Sequence, residues 1–167
     1  MQITAKRRDL LDMLGKVKHG VPSRATMPTL GTMLLKAKGK DLTGITTDLE
    51  TMLFGTCKAQ VKKGGTVCVS PRELEAFLKA TKVESVTLSD VRKRTRYTVP
   101  TTGHTDEETG VYTPGEPEEK TVTEVKLKAQ AGAASATFGT FRPEDFPLVP
   151  RIKGKAFTIR ELSLIHI

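Results

Sequence analysis

The chain has 167 residues, a formal net charge of +8 and 37% hydrophobic residues, which suits one domain, or one domain and the start of another. No apolar run is long enough for a membrane-spanning helix. Residues 1–10 carry charges where a secretion signal would be apolar, so we expect a cytoplasmic protein. The net charge alone does not distinguish a protein that binds a polyanionic partner from a soluble protein whose surface is merely basic.

The first part of the chain predicts a strand, a helix and three further strands. Residues 1–5 are strand-like, and apolar residues recur at helical spacing over 7–18. Gly20 and Pro22 are typical of a helix end, so 19–30 is predicted as a loop. Three strands are then predicted at 31–38, 42–48 and 50–60.

A second strand-helix unit begins after a predicted turn at 61–65. Ser70, Pro71 and Glu73 form the pattern of an N-cap, a first-turn proline and a capping box, which predicts a helix to about Thr81. Predicted strands flank this helix at 66–69, 85–90, 91–99, 121–130 and 135–140. A proline-stiffened segment, 141–150, follows them.

The two stretches share one order of elements, which indicates an internal structural repeat. We therefore predict an α+β fold, in which two strand-helix-three-strand halves form an antiparallel sheet with two helices on one face.

The segment 91–121 departs from this regular spacing. It predicts an extended hairpin with a basic base and an acidic, mobile tip. A solvated, self-compensating hairpin is the favoured interpretation, and a dedicated partner site is the alternative.

Several motifs, in this order, resemble the bacterial DNA sliding clamp family, the beta subunit of DNA polymerase III. They are the Leu10-Leu11 helix start, the loop Arg24-Ala25-Thr26-Met27-Pro28, Thr46-Thr47-Asp48-Leu49-Glu50, Ser70-Pro71-Arg72 and Pro143-Glu144-Asp145-Phe146-Pro147. The resemblance covers about 150 residues of the chain.

The resemblance implies a non-catalytic subunit, without cofactor or metal, of a ring-shaped homodimer. Such a ring encircles double-stranded DNA and tethers the polymerase, and it meets polymerase and clamp loader through domains beyond this one. The implied DNA-binding residues are Arg24, Arg72, Lys16 and Lys79, with Lys18 and Lys82 as further candidates. Ordinary solvation of the helices is the alternative for the lysines.

The implied subunit interface lies on the strand 135–140, at Ala136 and Phe138. A place in the core is an equal alternative for Phe138, because alternate residues of a strand face inward. The family's hairpin at 91–121 is short, so the resemblance supplies no role for the long one.

The resemblance also implies the domain limits. We expect the first domain over 1–153, with its extended hairpin at 91–121, and the start of a second domain over 154–161. Residues 162–167 fit no family pattern and resemble a non-native tail encoded by sequencing-adapter DNA.

Three other interpretations of the sequence compete with this one. An enzyme is disfavoured because His19, His104 and His166 form no catalytic or metal pattern. Asp48 and Glu50 are expected to be structural, and Cys57 and Cys68 to be buried free thiols. A small basic nucleic-acid-binding module outside the clamp family would need more aromatic residues than six Phe and two Tyr. A phage or plasmid clamp is not distinguishable from a chromosomal one.

Overall fold

The fold is taken from a computed structural model, which describes residues 1–25, 27–99, 104–105, 112–113, 117–147 and 149. The helices are Arg7–Val17 (α1) and Pro71–Ala80 (α2). The strands are Gln2–Lys6 (β1), Met33–Lys38 (β2), Asp41–Thr47 (β3), Met52–Lys63 (β4), Gly65–Val69 (β5), Ser85–Val99 (β6), His104–Thr105 (β7), Tyr112–Thr113 (β8), Glu118–Ala131 (β9) and Ala134–Phe141 (β10). The predicted second-domain start and tail, 154–167, and most of the hairpin tip lie outside the described residues.

Two of the predicted boundaries were wrong, and strand pairing explains both. The predicted strands 85–90 and 91–99 are one strand, β6, because β9 pairs with it continuously from Thr87 to Val99. The turn predicted at 61–65 begins later, because Val61 and Lys63 of β4 pair with β1.

The large sheet is antiparallel and closes into an eight-stranded barrel in the order β1-β4-β3-β2-β5-β10-β9-β6. Four neighbouring strands come from residues 2–63 and four from residues 65–141. Closure between β5 and β10 is short, with Thr140 opposite Val69 and Phe141 opposite Cys68. The predicted antiparallel α+β fold with two helices is thus confirmed, and the sheet curls into a barrel that the sequence pattern did not reveal.

One core cluster joins both parts of the sheet to both helices. Leu10 and Leu14 of α1 and Leu74 and Leu78 of α2 are fully buried in it. Amphipathic spacing explains this burial, since apolar residues three or four apart share one helix face. A smaller cluster of Leu34, Ile45, Cys68 and Phe146 packs the exit segment against the sheet.

Paired glycines set how closely α1 approaches the sheet. Gly44 of β3 lies opposite Gly55 of β4. A Cβ added at Gly55 would lie 2.8 Å from Cγ1 of Val17 and 3.1 Å from the Met13 backbone oxygen. A side chain at position 55 would therefore push α1 away from the barrel.

Candidate nucleic-acid interface

The exposed face of α2 carries two cations seven residues apart. Arg72 and Lys79 are exposed, and the small, exposed Ala76 lies between them. Seven residues bring a helix back to almost the same face about 10 Å further along its axis. Ser70 begins the helix by accepting a hydrogen bond from the Glu73 backbone N–H at 3.4 Å. The predicted N-cap is confirmed, and it fixes Arg72 in the first helical turn.

A carboxylate of α2 connects the two helices. Oε1 of Glu75 lies 3.0 Å from Nζ of Lys18 and 2.9 Å from Nζ of Lys79. Hydrogen bonds from Lys79 and Lys18, with their charges, lower the pKa of Glu75. Glu75 thus holds two of the predicted lining lysines and offsets part of their charge. Glu75 was not among the predicted site residues, although its i,i+4 spacing to Lys79 was a usable signal.

The polar face of α1 carries Lys16. Arg8, Asp12 and Lys16 are exposed at four-residue spacing, opposite the buried face. Lys16 makes no ion pair with any described residue. The neighbouring Arg7 instead donates from Nη1 to the Leu78 carbonyl at 3.2 Å, so it ties α1 to the last turn of α2.

Arg24 lies in the connection between α1 and β2. The side chain is exposed, and within the described part of the chain it has neither a hydrogen bond nor an ion pair. Three of the four predicted DNA-binding cations, Arg24, Arg72 and Lys16, are therefore available to an external anion, and Lys79 is shared with Glu75.

The predicted interface residues lie on β10. Phe138 is buried, and its ring meets Phe77 edge-on with the centroids 6.0 Å apart. Within this chain the Phe138 side chain therefore belongs to the core, the second of its two predicted roles. Ala136 is half-buried against the same core. From Ala134 to Gly139, β10 pairs with β9 on one edge, and the described residues supply no strand for its other edge.

Asp48 and the two cysteines have structural roles in the described part of the chain. Oδ1 of Asp48 accepts hydrogen bonds from the backbone N–H groups of Glu50 and Thr51, at 3.1 and 2.6 Å, and so stabilises a turn. Both cysteines are free and buried, as predicted. Burial raises the pKa of the Cys57 thiol to about 11 and that of Cys68 to about 12.

The described residues contain no group of three or more His, Cys, Asp or Glu that could hold a metal ion. Neither described helix has the length and apolarity needed to cross a bilayer.

The described residues thus combine an antiparallel sheet closed into a barrel, two helices with exposed cations and a stretch of β10 with one unpaired edge. Residues 1–150 match the family model of the DNA polymerase III beta subunit, N-terminal domain. The chain belongs to this family. A sequence comparison with curated proteins finds no match.

Solved structures agree with this assignment. The DNA polymerase III subunit beta of Pseudomonas aeruginosa is 25% identical with a TM-score of 0.69, over 98% of this chain and 37% of that one. The pol III beta of Caulobacter crescentus is 24% identical with a TM-score of 0.66, over 90% and 32%. A Helicobacter pylori beta clamp bound to a DNA ligase peptide shares the fold at 14% identity and a TM-score of 0.65, over 91% and 34%. The chain therefore spans about a third of the length of these structures.

Proposed function

We propose that this chain is the first-domain segment of a ring-shaped sliding clamp, which encircles duplex DNA without sequence preference and tethers the replicative polymerase. The observation that carries the proposal is the family match over residues 1–150. The subunit is a non-catalytic processivity factor. The comparisons give no support to the alternative of a small nucleic-acid-binding module outside this family.

The DNA-facing surface is formed by the two helices, which lie on one face of the sheet in each strand-helix-three-strand half. Exposed cations at Arg72 and Lys16 and in the Arg24 loop suit a sliding contact, because they attract phosphates without reading bases. Lys79 contributes less, because Glu75 lies 2.9 Å from its ammonium group. Weak, uniform contact is what sliding requires, since a deep energy minimum at one sequence would stop it.

The subunit interface uses the open edge of β10. Backbone groups of Ala134–Gly139 can pair with a strand of a second subunit, because they have no strand partner on that side among the described residues. Phe138 supports this edge from the core, and Ala136 adds little apolar area. Replacing Phe138 would therefore weaken the interface by loosening the strand.

The remaining features of this assignment extend beyond the described chain. The ring is a homodimer in the cytoplasm, and polymerase and clamp loader bind through domains other than this one. The first domain covers 1–153, a second domain begins at 154–161, and 162–167 is a non-native tail.

The test uses the complete reading frame that contains residues 1–150, expressed with its polymerase and clamp loader. The protein should stay on nicked circular DNA after loading and be lost when the circle is linearised, because a ring can slide off an end. Equal retention on both DNA forms would contradict the ring proposal.

Arg24→Ala in that protein should shorten the products of primer extension on a long circular template at moderate salt, because one phosphate contact is removed. Lys36→Ala is the matched control, because Lys36 is also an exposed cation. Its neighbours on β2, Leu35 and Ala37, face the core, so the Lys36 side chain points to the opposite side of the sheet. Unchanged product length for Arg24→Ala, or the same loss for both variants, would remove Arg24 from the DNA-binding surface.

A further inference from the structure

The two longest strands continue past the core of the barrel. β6 and β9 stay in register from Thr87 opposite Gln130 to Val99 opposite Glu118. Leu88 and Leu127 are fully buried. Beyond the pair Asp90–Leu127, all residues of the two strands whose burial is described are exposed or half-buried. We call residues 91–99 and 118–126 the ribbon.

The arginines of the ribbon all lie on one of its faces. Side chains on a strand alternate, so Arg92, Arg94 and Arg96 point to the same side as the buried Val86 and Leu88. This is the side on which α1 and α2 pack, because Leu74 and Leu78 share a cluster with Val86 and Leu88. The arginine row therefore lies on the same side of the sheet as the helix cations.

No acid lies directly opposite the three arginines. Their partners across the strands are Val125, Thr123 and Thr121. The other face of the ribbon is mixed, with Lys93 opposite Glu124 and Val99 opposite Glu118. The solvated, self-compensating hairpin inferred from sequence therefore fits one face of the ribbon and not the other.

Charge balance differs along the row. Nε of Arg92 lies 3.3 Å from Oδ2 of Asp90. A groove of about 870 Å³ between the ribbon and β10 is lined by Arg92 together with Arg142 and Glu144. Arg94 and Arg96 are exposed and have no ion pair with any described residue. Glu119 lies further out, opposite Thr98. The excess positive charge of this face is thus centred on Arg94 and Arg96.

We propose, resting on the clamp function proposed above, that Arg94 and Arg96, continued by Arg92, form a second contact for the phosphate backbone of duplex DNA. Residues two apart on a strand are about 6.8 Å apart, close to twice the axial spacing of about 3.4 Å between phosphates of one DNA strand. Guanidinium groups donate paired hydrogen bonds to phosphate oxygens. Thr121 and Thr123 add hydroxyl groups that also suit phosphates. A row of one sign at regular spacing fits a repeating polyanion better than an irregular acidic peptide.

The test measures binding of a short fluorescein-labelled duplex to the 167-residue chain by anisotropy across salt concentrations. The double variant Arg94→Gln/Arg96→Gln should lower the slope of log K against log salt by about 1.8, from about 0.9 for each phosphate contact. Between about 50 and 200 mM salt, wild-type affinity should therefore fall roughly tenfold more than that of the variant.

Lys36→Gln/Lys38→Gln is the matched control. Both lysines are exposed, have no ion pair with the described residues, and are two apart on β2 with the buried Ala37 between them. The control makes the same change in net charge on the outer side of the sheet. Its slope of log K against log salt should therefore change by less than half as much as that of the arginine double variant. Thermal melting checks that both proteins fold; should the double variant not fold, the single variants Arg94→Gln and Arg96→Gln should each lower the slope by about 0.9.

Four results would overturn the proposal. The first is equal weakening of duplex binding by the arginine and lysine variants, which would indicate general charge attraction. The second is the absence of saturable duplex binding by the wild-type chain at low salt. The third is a loss of single-stranded DNA binding in the arginine variant with duplex binding unchanged, and the fourth is the same pattern for a glutamate-rich peptide.

Discussion

β6 and β9 form one continuous ladder, yet its two ends have different surroundings. Within the barrel, the inner side of the ladder presents Leu88 and Leu127, which are fully buried. In the ribbon, the same side presents exposed arginines opposite threonines and a valine. Hydrogen bonding between the strands is the same in both regions, so what differs is the side chains that the inner face presents.

This contrast separates the two contributions to a strand pair. The ladder satisfies backbone groups along its whole length, while the hydrophobic effect acts only where the inner face meets the helices. An isolated two-stranded hairpin is marginally stable in water. The stability of the ribbon therefore depends on the barrel, and we expect the barrel to fold without the ribbon because the main core cluster contains no ribbon residue.

Truncating a core side chain at one end of the ladder should have the largest effect. Leu88→Ala should lower the free energy of unfolding by about 2–5 kcal/mol, because a fully buried leucine leaves a cavity. Thr123→Ala, on the same side of the ladder but exposed, should change it by less than about 0.5 kcal/mol. Urea denaturation of both variants measures the difference, and similar losses would mean that the ribbon has a core of its own.

Charge pairing offers a second, smaller contrast. The helix cations Lys18 and Lys79 share Glu75, whereas Arg94 and Arg96 have no ion pair among the described residues. Hydrogen bonds from Lys79 and Lys18 lower the pKa of Glu75 below its ordinary value of 4.5. A carboxyl with a lowered folded pKa stabilises the fold above its unfolded pKa, and that stabilisation is lost as the pH falls through the folded pKa.

Glu75→Gln should therefore lower stability at neutral pH by up to about 1 kcal/mol, since the three charges are partly exposed. The difference from wild type should disappear in acid, below the folded pKa of Glu75. Arg94→Gln/Arg96→Gln is the control, which we expect to leave stability unchanged at both pH values. Melting curves at neutral and acid pH test this, and a pH-independent loss for Glu75→Gln would point to altered packing instead.

Helices, caps and strand content could be predicted because their signals are local. The N-cap at Ser70 depends on residues within one turn, and the apolar spacing of α1 depends on about three turns. The extent of β4 and β6 could not be predicted, because a strand continues as long as a partner strand does. The partner of Val61 is Ile3, far away in sequence.

The candidate site divides in the same way. The exposure of Arg72 and Lys16 followed from helical periodicity. The link between Lys18 and Glu75 was not foreseeable, because it requires the two helices to meet. The arginine row was visible in sequence as a basic base of a hairpin. Its place on one face follows from strand alternation, but the absence of acids opposite it depends on the register with β9, which puts threonines opposite Arg94 and Arg96.

Shortening the β6–β9 ladder in steps should have the smallest effect on the free energy of unfolding, as long as only residues outside the barrel are removed. Replacing residues 100–117 by Asn-Gly joins Val99 to Glu118, which face each other in register, through a two-residue turn that such hairpins favour. Stability should change by less than about 0.5 kcal/mol, with one cooperative transition. Joining Val91 to Lys126 by the same turn should also leave a folded domain, because every side chain of the main core remains.

Joining Leu88 to Ala129 provides the matched opposite case. It removes the buried Leu127 and also Asp90, whose carboxylate pairs with the amino group of Met1. Cooperative melting should then be lost or shifted to much lower temperature. If the variant that joins Val99 to Glu118 already failed to fold, residues 100–117 would be needed for the stability of the barrel. The division of the ladder into a supporting barrel part and a supported ribbon would then be wrong.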